Sequence, residues 1–192
     1  MARRFTQQEK QNIRTKLLAE CQKSWAKYGY KKTSIEEICS KVGISKGAFY
    51  LFFESKEALF TETLCILQDH MYQLTEGILE KQPNKHGFAQ ALKACYREYD
   101  KNFLISDMQS ADFLSFANKL SPEQLSEIEK NSRHSGELLL NKSYLQFLID
   151  KEEVASIVMS LLSIVSIKER LCYDHFLVFD FMVDNLIDKI LK

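Results

Sequence analysis

The 192-residue chain is poor in the two residues that most often interrupt helices, with only two prolines and six glycines. Good helix formers such as Leu, Ile, Glu and Lys are frequent instead. This composition argues against a fold rich in sheets or long loops. We therefore predict an all-α chain of about nine helices, in which a small domain is joined to a larger one.

The chain also lacks the Cys and His spacings that hold metals or form disulfide frameworks. Its five cysteines are scattered without a C-x-x-C pair, and its four histidines form no H-x-x-x-H pair. We expect no metal site, no disulfide framework and no cofactor. Phosphate-binding glycine loops and G-x-S-x-G nucleophile turns are missing too, so an enzyme has no positive signal in the sequence.

No apolar run is long enough to cross a bilayer. The longest uncharged stretch covers residues 154–167, whereas a transmembrane helix needs about 20 residues. Arg3 and Arg4 are followed by polar residues, unlike the apolar core of a secretory signal. We expect a cytoplasmic protein with no membrane partner.

The whole chain has no net charge, but its two parts have opposite net charges. Residues 1–56 contain 12 Lys or Arg and 5 Asp or Glu, a net charge of +7. Residues 57–192 contain 14 and 21, a net charge of −7. A basic head on an acidic body is typical of a protein that contacts nucleic acid at one end.

One stretch in the basic head has the pattern of a helix-turn-helix. Residues 35–42 have an apolar face with the helical period. Thr33 and Ser34 are alternative N-caps for this helix, Gly43 ends it, and Ser45 caps the next one. Two short helices joined by a glycine-containing turn form the helix-turn-helix signature. A helical hairpin that only packs has the same pattern, so the pattern alone leaves both interpretations open.

The second short helix has two different sides. Three phenylalanines that anchor the domain share one side: Phe49, Phe52 and Phe53. The other side carries Gly47, Tyr50 and Leu51, with Lys46 at the helix N-terminus, a surface that fits a DNA groove. Leu51 could contact a thymine methyl group there, or it could pack against sugar or a neighbouring helix without reading the sequence.

Two motifs in this region resemble the TetR family of bacterial transcriptional regulators. They are K-G-A-F-Y-x-x-F-x-S-K-E-x-L over residues 46–59 and G-Y-x-x-T-S-I-x-x-I over residues 29–38. The resemblance implies that Tyr50 and Lys56 hold DNA phosphates. It also implies that five further residues lie at or near the groove: Ser34, Glu36, Lys46, Gly47 and Ala48. Many family members have His or another polar residue where this chain has Leu51 and Phe52.

The first helix is predicted from a Thr6-x-x-Glu9 capping box to Gly29. Trp25 is expected in the core, on an apolar face formed by Ile13, Leu17, Cys21, Trp25 and Tyr28.

The basic arm before the first helix could also reach a minor groove. The full set of predicted DNA contacts is Arg3, Arg4, Thr33, Ser34, Glu36, Ser45, Lys46, Gly47, Ala48, Tyr50, Leu51 and Lys56. We predict a DNA-binding domain over residues 1–54 and an effector-binding and dimerisation domain over residues 55–192.

Predicted N-caps and apolar periods divide the larger domain further, and these caps are Ser55, Ser121, Asp150 and Asp174. We predict helices over residues 56–80, 88–103, 107–118, 122–140, 151–170 and 175–191. Residues 141–149 are ambiguous, and we expect the preceding helix to continue there with a kink or loop near Asn141.

The last two helices are apolar on almost every side, so they need a cover on every side. A second copy of the chain would provide it, in a four-helix interface about a two-fold axis. Three serines at helical spacing would allow close approach. The predicted interface residues are Ser156, Ser160, Ser163, Phe176, Phe179 and Val183.

The resemblance implies a small-molecule effector that binds the larger domain and releases DNA. Aromatic residues that could line its pocket, or that could equally be plain core, are Tyr96, Tyr99, Phe103, Phe113 and Phe116. The favoured function is a repressor that binds a palindromic operator as a homodimer and is released by an effector. The alternatives are a DNA-binding dimer without effector control, a helical enzyme, or a structural interaction module.

Overall fold

A computed structural model of the chain describes residues 5–101 and 110–192, and the described residues form nine α-helices. They are α1 (Gln7–Lys32), α2 (Ile35–Val42), α3 (Lys46–Phe49), α4 (Lys56–Lys81), α5 (Lys85–Lys101), α6 (Ala111–Ala117), α7 (Pro122–Leu140), α8 (Lys151–Leu162) and α9 (His175–Ile190). A 3₁₀ helix, Ser163–Arg170, follows α8 directly. Within these ranges the only β pairing is an isolated bridge between Phe147 and Leu191. The prediction of an all-α fold is confirmed.

Most helices begin at the predicted caps. The Thr6 hydroxyl accepts from the Glu9 amide while the Glu9 carboxylate accepts from the Thr6 amide, which completes the predicted capping box. Ser55 accepts from the amide of Ala58 at the start of α4, and Asp174 accepts from two amides of α9. Asp150 lies at the N-cap of α8, but its side chain makes no capping bond. In the described part of the chain, no helix is long and apolar enough to cross a membrane.

Three details of the fold differ from the predictions. Residues 141–150 are not a continuation of α7: they leave the helix after Leu140, and backbone bonds from Leu148 to Ile190 and from Lys192 to Gln146 hold them. The predicted helix over 151–170 becomes 3₁₀ after Leu162. In α1, Tyr28 is exposed rather than part of the apolar face.

The described residues divide into two compact units. The first contains residues up to Leu67 together with residues 110–129, and the second contains residues 68–101 and 130–192. α6 is therefore part of the N-terminal unit although it follows α5 in sequence.

An aromatic cluster forms the core of the first unit. Trp25 is 2% exposed, as predicted for a core tryptophan, and its ring centroid lies 4.6 Å from Phe60 and 5.0 Å from Phe116. Tyr30 packs edge-on against Phe60. α1, α4 and α6 thus meet at one point.

In the second unit α5 and α9 pack side by side. Tyr96 and Phe179 stack with ring centroids 3.8 Å apart, and both side chains are fully buried. Three ion pairs also join the two helices, each between a basic residue of α5 and an acidic residue of α9: Arg97–Asp180, Lys93–Asp184 and Lys85–Asp188.

Candidate DNA interface

The helix-turn-helix has the predicted local structure. Ser34 caps α2 by accepting from the amide of Glu37, and the buried side chains of Ile35, Ile38 and Cys39 hold the helix on the core. Gly43 has φ 80°, a conformation that suits glycine, and its amide donates to the carbonyls of Cys39 and Ser40. Ser45 then caps α3 by accepting from the amide of Ala48.

The short α3 and the turn after it separate buried from exposed residues as predicted, except that Phe52 is only half-buried. Phe49 and Phe53 are 0% and 4% exposed, whereas Tyr50 is 54% and Leu51 67% exposed. α3 itself ends at Phe49, and the next three residues form a turn. Tyr50 and Leu51 are therefore exposed to solvent next to the buried rings of Phe49 and Phe53.

Lys46, the first residue of α3, pairs with Glu36 of α2. This contact lowers the pKa of Glu36 and raises the pKa of Lys46, chiefly through their shared hydrogen bond. Both side chains are largely exposed. Exposed pairs of this kind exchange readily for other partners, so both groups are available to a nucleic acid.

Lys56 points inward, unlike a freely exposed phosphate-binding lysine. Its Nζ donates to the carbonyl of Tyr30 at 2.5 Å and lies 4.1 Å from the centroid of the Tyr30 ring. Burial lowers the pKa of its ammonium group. The side chain thus links the start of α4 to the end of α1.

Arg14 is a residue of this region that sequence reasoning missed. Its guanidinium donates to the carbonyl of Phe52 at 2.6 Å, pairs with Glu62, and lies over the Phe53 ring at 4.3 Å. Arg14 therefore fixes the turn that carries Tyr50 and Leu51. No local motif marks it, because its partners are about 40 and 50 residues away in the chain.

The other predicted DNA contacts differ in exposure. Ser45 and Gly47 are exposed, and Ser34 and Ala48 are half-buried. Thr33 is 2% exposed and its hydroxyl donates to the carbonyl of Gly29, so its side chain faces the protein rather than a groove. Arg3 and Arg4 lie outside the described residues.

The predicted pocket residues do not form one group. Phe113 and Phe116 belong to the first unit, where they pack around Trp25. Tyr96 and Tyr99 belong to the second unit, and burial raises the pKa of each to about 12. Phe103 lies outside the described residues. Phe113 is half-buried and Phe116 fully buried in the first unit, and the effector pocket stays a prediction.

The predicted dimer residues also separate into two groups. Ser156, Ser160 and Ser163 are exposed, and Phe176 is half-buried. Phe179 and Val183 are 0% and 1% exposed, because they face the interior of the same chain. Those two were wrong as interface residues, since the chain itself covers them. The exposed apolar residues of α9 are Leu177, Phe181 and Met182.

Outside the helix-turn-helix, the residues described contain no group of three or more His, Cys, Asp or Glu side chains that could hold a metal ion.

Comparison with known proteins gives matches to the same region. The family model described as "Bacterial regulatory proteins, tetR family" matches residues 17–63, from the middle of α1 into α4. A protein of Bacillus subtilis (strain 168), described as the uncharacterised HTH-type transcriptional regulator YuxN, is 31% identical over 129 residues. That alignment covers 67% of this chain and 40% of YuxN. The chain spans less than half the length of the curated relatives it matches.

Solved structures resemble nearly the whole chain. The transcriptional regulator FadR from Bacillus subtilis, in complex with stearoyl-CoA, has a TM-score of 0.69 at 12% identity and covers 90% of this chain and 96% of its own. A TetR-family transcriptional regulator from Mesorhizobium loti has a TM-score of 0.68 at 16% identity, covering 98% and 100%. At these identities the likeness shows the fold alone.

Proposed function

Since the chain belongs to the tetR family of bacterial regulatory proteins and is a transcriptional regulator of that type, we propose that it represses genes by binding a palindromic operator as a homodimer. Release from DNA would follow the binding of a small molecule. As a regulator of this kind it would act beside the chromosome, in the cytoplasm.

The observation that carries the DNA-binding part is the exposed surface around α3. Tyr50 and Leu51 protrude beside Gly47 and Lys46, on a turn that Phe49, Phe53 and Arg14 hold in place. Rigid presentation of a few side chains is what groove reading requires. The charge of +7 on residues 1–56 supplies attraction to phosphate.

Selection of duplexes from a random library by the purified full-length chain tests this proposal. We expect the selected duplexes to share a palindrome, and we expect affinity for them to fall as salt rises. A variant with Tyr50→Ala and Leu51→Ala is the control, since both side chains are exposed and their loss should leave the fold intact. Selection of no common sequence by the wild-type chain would contradict the proposal.

The homodimer is supported by the outer surfaces of α8 and α9. Leu177 and Phe181 are one turn apart on α9, and Met159 is 58% exposed on α8. The hydroxyl of Ser156 donates to the carbonyl of Glu152, and that of Ser160 donates to the carbonyl of Ser156. Because these hydroxyls are already bonded, a partner helix can pack on the small side chains without leaving polar groups unpaired.

The effector part of the proposal rests on family membership and on the second unit. Of the predicted pocket residues in the described part of the chain, Tyr96 and Tyr99 are the two that belong to this unit. We expect an apolar or aromatic molecule to raise the melting temperature of the chain and to weaken operator binding by about 1–3 kcal/mol. A thermal-shift screen followed by operator titration tests it, and a compound that stabilises the chain without weakening DNA binding would count against release.

A further inference from the structure

Near its C-terminal end α1 has a kinked turn formed by Gly29, Tyr30 and Lys31. Gly29 has φ 78° inside a stretch that is otherwise helical. Thr33 follows this turn, and its amide and hydroxyl both donate to the Gly29 carbonyl, at 3.2 and 2.7 Å. Ser34, the N-cap of the first helix of the helix-turn-helix, comes next.

Asp112 of α6 binds this turn although it is about 80 residues away in the chain. One oxygen of its carboxylate accepts from the amide of Tyr30, and the other accepts from the amide of Lys31 at 3.0 Å. Consecutive amides that share a carboxylate make strong, charge-assisted bonds. Asp112 therefore caps the two amides that directly follow the kink at Gly29.

Gly29 provides the space for this carboxylate. A Cβ atom at position 29 would lie 2.6 Å from Asp112 Oδ2 and 2.8 Å from its Cγ. These distances are too short for non-bonded atoms, so a side chain at 29 and the carboxylate at 112 exclude each other. Glycine is required here by its backbone conformation and by the approach of α6.

The remaining groups of Tyr30 are bonded as well. Its carbonyl accepts from Lys56, and its hydroxyl donates to Glu57. The ammonium of Lys119 lies 5.2 Å from the centroid of its ring. The turn is thus held from α4 and from α6, with two acidic and two basic side chains around one tyrosine.

We propose that Asp112 is a positioning residue for DNA binding: its carboxylate holds the turn of residues 29–31, and with it the start of α2, in the arrangement that presents the helix-turn-helix to DNA. This inference rests on the proposed DNA binding and adds a residue of α6 to the DNA-reading unit. Because Asp112 is acidic, its removal makes the chain more attractive to phosphate. If a variant without this carboxylate binds DNA more weakly, the loss of its negative charge therefore cannot be the cause.

The test uses Asp112→Asn in the full chain, on an operator first selected with the wild-type chain. We expect specific affinity to fall about tenfold, the equivalent of one lost hydrogen bond to a charged group, while affinity for unrelated duplex stays within about twofold. Asp180→Asn is the matched control. It removes the same charge from a carboxylate that binds Arg97 in the second unit, and it should leave specific affinity unchanged.

Gly29→Ala tests the same contact from the other side. We expect a similar loss of specific affinity, and the double variant Gly29→Ala with Asp112→Asn should lose less than the two single losses combined, because both break one contact. Strictly additive losses would overturn the proposal. So would an Asp112→Asn chain that melts earlier yet binds the operator with wild-type affinity when fully folded, since Asp112 would then only stabilise the fold.

Hydrogen exchange on the wild-type chain gives a readout that needs no variant to fold. We expect the amides of Tyr30 and Lys31 to exchange slowly and to slow further on operator binding. Exchange as fast as in exposed loops would overturn the proposal even if DNA binding itself is established. A wild-type chain that selects no duplex would instead contradict the proposed function.

Discussion

Leu51 is the most exposed of the three residues that follow α3, at 67%. A leucine makes no hydrogen bond to a base edge, but in the major groove it can contact the C5-methyl group of thymine. Its exposure in the unbound chain means that shortening it removes little packing. DNA discrimination and fold stability can therefore be separated at this position.

We expect Leu51→Ala to reduce discrimination at one T·A pair per half-site by less than the ~1–3 kcal/mol of a bidentate contact. The free energy of unfolding should change by less than about 0.5 kcal/mol. Operators with uracil in place of thymine at each position check this, because uracil lacks only the methyl group. Equal uracil penalties in wild type and variant at every position would show that Leu51 reads no thymine.

Lys46 and Lys56 have different surroundings and should differ in their effect on stability. Lys46 is exposed and pairs with Glu36, whereas Lys56 donates to the Tyr30 carbonyl and lies over its ring. We expect Lys56→Ala to lower the free energy of unfolding by about 1–3 kcal/mol and Lys46→Ala to change it by less than about 0.5 kcal/mol.

Both lysine variants should flatten the salt dependence of DNA binding by about one unit, if each lysine neutralises one phosphate. Denaturant titration and DNA titration at several salt concentrations separate the two effects. A Lys56→Ala chain with reduced stability and an unchanged salt slope would leave Lys56 a purely structural role.

At the scale of helices, α9 carries two nearby phenylalanines that differ in burial. Phe179 is fully buried against Tyr96, and Phe181, two residues later, is 69% exposed. Such a pair distinguishes the core of one chain from a surface that a second copy would cover.

We expect Phe181→Glu to produce monomers that remain folded, because a charge in an apolar helix interface is costly while the same charge in water is not. Phe179→Ala should instead lower the free energy of unfolding by about 3–5 kcal/mol. Sedimentation equilibrium at micromolar concentration and thermal melts measure the two effects. A Phe181→Glu chain with the same mass in solution as wild type would exclude this surface of α9 from the interface.

Local signals in the sequence were enough for most helix starts and for the helix-turn-helix. Ser34, Ser55 and Asp174 cap their helices through amides two or three residues away, so a short window contains the whole interaction. The periodic apolar faces likewise needed no distant partner.

Features that depend on distant partners could not be predicted in this way. Residues 141–150 are held by the backbone of residues 190–192, and a periodicity count has no access to that pairing. Asp112 and Arg14 act on turns far away in the chain. Phe179 is predicted as an interface residue but lies in the core, because an apolar helix does not reveal which of its sides the rest of the chain covers.

At the scale of the whole molecule, the proposed dimer limits the spacing of the half-sites in its operator. Two identical helix-turn-helix units related by a two-fold axis read half-sites on one face of the duplex, with centres about 34–36 Å apart or a multiple of that. A two-fold dimer of this kind would require an operator with the same two-fold symmetry.

Insertion of about five base pairs between the half-sites rotates one of them to the opposite face of the duplex. We expect affinity to fall to roughly that of a single half-site. Electrophoretic titration of spaced operators checks this, with the unmodified operator and a single half-site as references. Equal affinity for the original and the extended operator would show that the two half-sites are not bound by one rigid dimer.

The packing of Trp25 has an optical consequence. It is the only tryptophan in the sequence, and its indole lies between Phe60 of α4 and Phe116 of α6, away from water. Excitation of the unlabelled chain near the red edge of indole absorption therefore produces fluorescence from Trp25 alone. Emission from the native chain should be blue-shifted, and any event that separates α6 from α1 should move it to longer wavelength. The attachment of α6 can thus be followed in real time, without a dye, while operator or small molecule is added.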